Sequence, residues 1–417
     1  MIEVFQNRGK ARGKVKMPAY LTMAICFIWL FTALFADQLA NELPLTCKID
    51  GQRHFPAFRE TLSKVSGQSS PRIYYLGKKE EMESVVRAPI PYSPQTIDRA
   101  NAGYISPLGP QNISSQRYRH WLGTDGMGRD VLAGLIHGSR VALIIGLLSV
   151  LAAMLVGVLF GAAAGFFGDQ SWRLNILEIA GGTIILTVGL YLLYLQLDCG
   201  GSWLYLSGWL LASTALVYLW SSTVKTSMRA ALLRLGLSGT MGIPLDLILL
   251  RLIEIFRAVP SLFILLALLA IIESPGILQM SLIISLLMWP AFARYTRAEF
   301  LSLREQEFVQ AAQLLRRSKN YIIFREIMPL AIPPIAVAAA FGVSSAILAE
   351  STLSFLGIGF SVEQVSWGSM LNEARLYFRA WWLAVFPGIA IFAVILSMNS
   401  LGDYISRQKS TGIKMVD

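Results

Sequence analysis

Residues 293–329 read ARYTRAEFLSLREQEFVQAAQLLRRSKNYIIFREIMP, a polar and basic stretch between strongly apolar ones. Phe300, Leu303, Phe308, Ala311, Ala312, Leu315 and Ile322 recur at helical spacing, which predicts short amphipathic helices over residues 294–329. Arg294, Arg297, Arg304, Arg316, Arg317, Lys319 and Arg325 put this loop on the cytoplasmic side of a membrane. A cation-rich helical loop of this kind suits a soluble partner with a groove for one short helix. It is also compatible with an ordinary basic loop at the membrane surface.

The membrane is set by composition. The 417 residues are 54% hydrophobic and 15% charged, with mean hydropathy +0.55, where soluble domains carry about 25% charge. Several apolar runs approach the roughly 20 residues that a helical span needs. The expectation is an all-α polytopic membrane protein. The net charge of +10 lies largely beside spans, where it sets orientation, so it does not argue for nucleic acid. His54, His120 and His137 are scattered, and no metal-ligand spacing is present. Cys26 sits in an apolar run. Cys47 and Cys199 fall on the expected outer side and could pair in an oxidising compartment.

Taken in order, residues 1–17 form a basic tail and 18–36 the first span, crossing outward. Its apolar run exceeds a signal-peptide core, and no small-x-small cleavage site follows, so it reads as uncleaved. Residues 37–140 form an outer segment broken by prolines, either a solvated spacer or a docking surface for an external protein. A core span occupies 141–171, with Gly146, Gly157, Gly161 and Gly165 available for close helix approach. Residues 172–243 hold two further apolar runs, roughly Leu174–Leu195 and Trp203–Trp220, read as a hairpin that leaves and returns to the cytoplasm. The remaining core covers 244–403, with Arg251, Glu254 and Arg257 on one helix face and Pro260 bending that helix. Residues 404–417 are a basic cytoplasmic tail. The total is eight spans.

Two stretches could carry chemistry. The segment HWLGTDGMGRDVL, His120–Leu132, is rich in Gly and Asp, yet no Lys-Ser/Thr follows, so it is not a phosphate loop. Gly123, Thr124, Asp125, Gly128, Arg129 and Asp130 read as structural, with the charges capping and pinning the helix that follows. Within Ile332–Leu356, Ser344, Ser345, Glu350 and Thr352 make the helix unusually polar. Such residues line a translocation path or join helices together. No GxxxxGK[ST] occurs, and no nucleophile sits in a catalytic context.

These residues carry a resemblance. The run Phe308-Val309-Gln310-Ala311-Ala312, closing on Ile327-Met328-Pro329, resembles the coupling-loop signature of ABC-importer permeases. The His120–Leu132 segment is closely similar to the HxLGTDxxGRDVL motif of the dipeptide/oligopeptide/nickel permease family. RLIEIFRAVPSLFILLAL and Ser366-Trp367-Gly368-Ser369-Met370-Leu371 are similar too. Two positions depart from the signature: Gln310 stands where Glu is usual, and Arg316 where Gly is usual. The Gly serves a sharp turn, so here either the turn is reshaped or the helix runs on.

The resemblance implies a six-span importer permease core, of the C-type subunit, with the 172–243 hairpin inserted. It implies a bacterial inner-membrane protein with both termini cytoplasmic. Its partners would be membrane lipid, a homologous B-type permease, two ATPases that bind ATP and Mg, and an extracytoplasmic substrate-binding protein. Phe308, Val309, Gln310, Ala311, Ala312, Leu315, Arg316, Arg317 and Tyr321 would couple to the ATPases. The chain itself would need no cofactor or metal and would not be an enzyme. Peptides are the implied cargo, with nickel or another solute as the alternative. A secondary transporter or a non-transporting scaffold are rival classes. The former calls for deep acids in matched inverted halves, and only Glu350 is deep.

Overall fold

The computed structural model describes residues 18–66, 72–78, 82–168, 173–175, 240–242, 244–272, 275–360 and 364–412. Among the described residues, four helices are long and apolar enough to cross a membrane, and a fifth crossing exists if one broken pair counts as a span. They are α5 (Val131–Phe167), α8 (Ile277–Arg304), the stretch Lys319–Phe355 and α13 (Trp381–Gly412). The broken pair is α6 (Leu245–Ala258) and α7 (Ser261–Ile271). Pro260 lacks an N–H and disfavours helix in the residue before it, which accounts for the break. The first apolar helix, α1 (Ala19–Leu34), has 16 residues, below the usual spanning length. The eight-span count draws on this helix and on the 172–243 hairpin, most of which lies outside the described residues.

The larger compact unit comprises residues 1–161 and 255–417. Its core is built where α5, α7, α8 and α11 (Met328–Phe355) meet, around Ile145, Met280, Ile284, Ala346 and Leu353. Gly157 and Gly161 bring α5 onto α8, since a Cβ on either would strike the backbone of residues 289–297. In lipid, where tails are as apolar as leucine, such close packing rather than water exclusion drives helix association. Gly146 faces Val343 and Ile347 of α11 in the same way.

Sequence hydropathy starts the second apolar run at Val141, but the helix begins at Val131. The added turns are amphipathic. His137 bonds the Ala40 carbonyl at 2.9 Å, and Arg140 bonds the Ala33 carbonyl at 3.0 Å and Asp37 at 2.7 Å. Apolarity marks only the part of a helix that lies in lipid, so it misses this polar end.

The outer segment is not a featureless spacer. It contains α2 (Ala36–Leu39), β1 (Pro44–Ile49), β2 (Gln52–His54), α3 (Pro56–Ser66), α4 (Arg72–Gly77) and β3 (Glu83–Arg87). The strands form an antiparallel sheet in the order β2-β1-β3, with Cys47 opposite His54 and Thr46 opposite Val86. Leu43, Cys47, Ile49 and Tyr75 make its small core. The strands are too short and too irregular in alternation to announce themselves, and two of the prolines, Pro44 and Pro56, open a strand and a helix rather than break them. Cys47 is a buried free thiol; Cys199 lies outside the described residues.

The smaller unit spans residues 162–254. In it β4 (Arg173–Asn175) pairs antiparallel with β5 (Thr240–Gly242), Arg173 opposite Gly242. On α6, Arg251 and Glu254 pair at 2.7 Å on an exposed face, while Leu249 and Ile253 are buried.

Candidate functional site

At the basic loop, α8 runs to Arg304, and α9 (Glu307–Leu314) follows after a two-residue break. Next come α10 (Lys319–Tyr321) and a π-helical turn over Ile322–Ile327, which leads into α11. Of the periodic apolar set, Phe300, Ala312 and Ile322 are buried, joined by Val309, Ile323 and Ile327. Phe308, Gln310, Ala311, Leu315, Arg316 and Arg317 face outward, and Tyr321 is half-buried. Leu314 and Leu315 are 84% and 73% exposed. The reason is the brevity of α9. A single stripe threads through Val309 and Ala312, and the helix has ended before residue 315 could rejoin it.

The end of α9 resolves the Arg316 departure. Arg316 N–H donates to the Gln313 carbonyl at 2.9 Å and Arg317 N–H to the Ala312 carbonyl at 3.1 Å. These are the two bonds of a left-handed helix stop, normally made with glycine. Arg316 takes that conformation itself, at φ 53°. The turn is therefore kept and the arginine is strained into it, at roughly 1–2 kcal/mol. Tyr321 lies under two guanidinium groups, Arg317 at 5.2 Å and Arg325 at 5.9 Å from its ring centre. Gln310 donates to the Glu305 carbonyl at 3.0 Å, which orients it along the helix start.

At the opposite end of the spans, the 123–130 loop folds on itself. Gly123 and Gly128 have φ of 81° and 85°, and a Cβ on Gly128 would strike the Asp98 carbonyl. Asp125 accepts from the Met127 N–H at 2.9 Å, the Arg129 N–H at 2.8 Å and the Arg129 Nε. Asp130 caps α5 through the Ala133 N–H at 2.7 Å. Thr124 donates to the Asn101 carbonyl, and its own carbonyl accepts from Trp382 Nε1 at 3.1 Å.

His120 is fully buried between Asp130 at 2.9 Å and Asp98 at 3.3 Å, with its ring stacked on Tyr92. Burial pushes its pKa down, but the bonds and charges of Asp130 and then Asp98 outweigh this and raise it. Burial would likewise raise Asp98, yet bonds from Asn101, His120 and the Ala100 N–H bring it below the usual carboxylate range. Arg129 reaches Glu373 at 2.6 Å on α12 (Trp367–Leu376). Asp98, His120 and Glu373 were absent from the sequence-based set. His120 opens the motif, but Glu373 is 244 residues from Arg129, and a single sequence holds no trace of that contact.

The four polar residues of α11 do not share a face. Ser344 and Glu350 are buried, the latter only 1% exposed and bonded by Ser354 at 2.8 Å and Ser351 at 3.2 Å. Ser345 and Thr352 lie on an exposed stripe with Phe341 and Leu348. Their hydroxyls bond their own helix, to the Phe341 and Leu348 carbonyls.

Comparison with known proteins now bears on both ends. Residues 233–411 match the family described as the inner-membrane component of binding-protein-dependent transport systems. Among curated relatives, the dipeptide transport system permease DppC of Alkalihalophilus pseudofirmus is 27% identical over 68% of this chain and 69% of its own. The di/tripeptide transport system permease DppC of Pseudomonas aeruginosa is 28% identical, over 70% and 73%. The inner membrane ABC transporter permease YejE of Escherichia coli is 25% identical, over 89% and 88%. The chain is an inner-membrane ABC-importer permease of the dipeptide/oligopeptide family. In this permease the basic loop and α11 fall inside the matched region, and the three-stranded sheet lies before it. Its relatives are transport components rather than enzymes.

Proposed function

We propose that this permease carries peptides or similar small solutes across the inner membrane, and that α9 is the contact through which partner ATPases drive it. The observation that carries this is the outward face of α9. Phe308, Ala311 and Leu314 stand exposed on an eight-residue helix, with exposed Leu315 capping it, at the basic end of the spans. Exposed leucines on a structured helix mark a surface that a partner covers. Arg316 and Arg317 flank it and suit an acidic rim. The proposed assembly is this chain, a homologous B-type permease, two cytoplasmic ATPases and an extracytoplasmic binding protein. ATP and Mg belong to the ATPases, and this chain holds neither.

The proposed topology has eight spans with both termini cytoplasmic. The β4–β5 pairing joins the two ends of residues 176–239, which supports a hairpin that leaves and returns on one side. Ser345 and Thr352 remain the path candidates, on a face open to the second permease. Ser344 and Glu350 hold helices together instead. Peptide cargo follows from relatives that carry dipeptides, di/tripeptides and glutathione by name.

Ala311 is exposed and Ala312 is buried, so two substitutions separate docking from folding. Ala311→Asp leaves the chain's own packing untouched; Ala312→Asp buries a charge within it. Copurification from membranes in mild detergent should return ATPase subunits with the native chain and lose them with Ala311→Asp, at unchanged permease yield. Retention of the ATPases by Ala311→Asp removes α9 as the contact.

A further inference from the structure

We propose that α12 is a proton-linked outer latch: it docks on the 123–130 loop with Glu373 carrying a proton, and it is released when Glu373 ionises. The geometry supplies the reason. Two carboxylates, Asp125 and Glu373, share the single guanidinium of Arg129. Asp125 accepts two backbone N–H bonds and the Arg129 Nε, so one carboxylate already faces that guanidinium. Glu373 touches Arg129 through Oε1, while its Oε2 is buried with no partner. An ionised Glu373 would be the second anion on one cation, with a desolvated oxygen left over.

The other groups around Glu373 do not relieve this. From the α5 cap, Asp130 lines the same cavity of about 20 Å³, but it is committed to His120 and the Ala133 N–H. Tyr104, from the preceding segment, stacks on Tyr377 at the end of α12, and neither phenol can supply a positive charge. Leu383 of α13, with Val131, Val365 and Met370, supplies apolar walls. The cavity has room for about one water-sized group.

The charge balance agrees. Burial and then the Asp125 charge push Glu373 up to about 7, against the pull of Arg129. A carboxyl raised in the docked state favours docking as pH falls and opposes it as pH rises. Taking about 7 docked and the ordinary 4.5 undocked, the population of undocked α12 rises about ten-fold from pH 6 to pH 8.

The test is hydrogen exchange of residues 366–377 in the full-length chain in lipid nanodiscs, corrected for the intrinsic pH dependence of exchange. Opening of α12 should be about ten-fold greater at pH 8 than at pH 6. Glu373→Gln, permanently neutral, should remove the difference and keep the slow exchange at pH 8. Glu373→Asp keeps a titrating acid but draws it back from Arg129, and should move the midpoint. Equal corrected exchange in the native chain at both pH values overturns the proposal. So does a Glu373→Gln chain that keeps the native pH dependence.

Discussion

The two ends of this permease use the same helix stop and fill it differently. At the outer end of α11, the Gly357 N–H bonds the Ser354 carbonyl and the Ile358 N–H bonds the Leu353 carbonyl, with Gly357 at φ 81°. At the cytoplasmic end of α9 the same pair of bonds closes on Arg316 at φ 53°. Glycine accepts that conformation without penalty; arginine does not. The contrast extends to what surrounds each end. The outer polar side chains are spent on one another, Asp98 and Asp130 on His120, Asp125 and Glu373 on Arg129. The cytoplasmic loop turns Gln310, Arg316, Leu314 and Leu315 outward. One end is built to hold itself together, and the other is shaped for something else to hold.

The strongest attack on that comparison is Asp130→Ala. It removes the α5 cap and leaves His120 buried beside Asp98 alone, and breaking a buried pair typically costs about 3–5 kcal/mol. Hydrogen exchange of Val131–Ile136 should accelerate accordingly; unchanged protection would mean the outer end is not self-supporting.

The second probe is pH. His120 has its pKa raised in the folded cap. Its contribution to stability is therefore full below its ordinary value of about 6.5 and is lost as pH rises through the raised folded value. Protection of the first α5 amides should fall over that upper window, and His120→Gln should flatten the fall. Protection that grows with pH would reverse the assignment. The exposed loop over 307–317 holds no group with a comparable buried partnership, so its intrinsic stability should stay level across the same range.

The smallest expected effect is Arg316→Gly. Relief of the left-handed arginine should stabilise the α9 end by roughly 1 kcal/mol, read as slower exchange of the Arg316 and Arg317 amides, whose bonds close the turn. If glycine gives no gain, the two helix stops are equivalent and the contrast between them dissolves. If it stabilises the turn while ATPase capture weakens, the charge at residue 316 is what the strain maintains.

The sequence alone determined the membrane, the basic loop and the Gly-Asp-Arg motif. These are signals of composition and short spacing, and solvent and chain geometry act on them locally. At Arg316 it left open whether the turn is reshaped or the helix runs on, and the structure keeps the turn. Tertiary structure decided the rest. Which side of α9 is buried depends on where the helix stops. The small outer sheet forms from strands too short to show a period. Ser344 and Glu350 turned inward, and Ser345 and Thr352 outward, because neighbouring helices choose the face of α11, and a helix of mixed small and apolar residues does not choose for itself. The partnership of Arg129 with Glu373 joins distant parts of the chain, and only the packing of α12 against the 123–130 loop brings the two charges into one cavity.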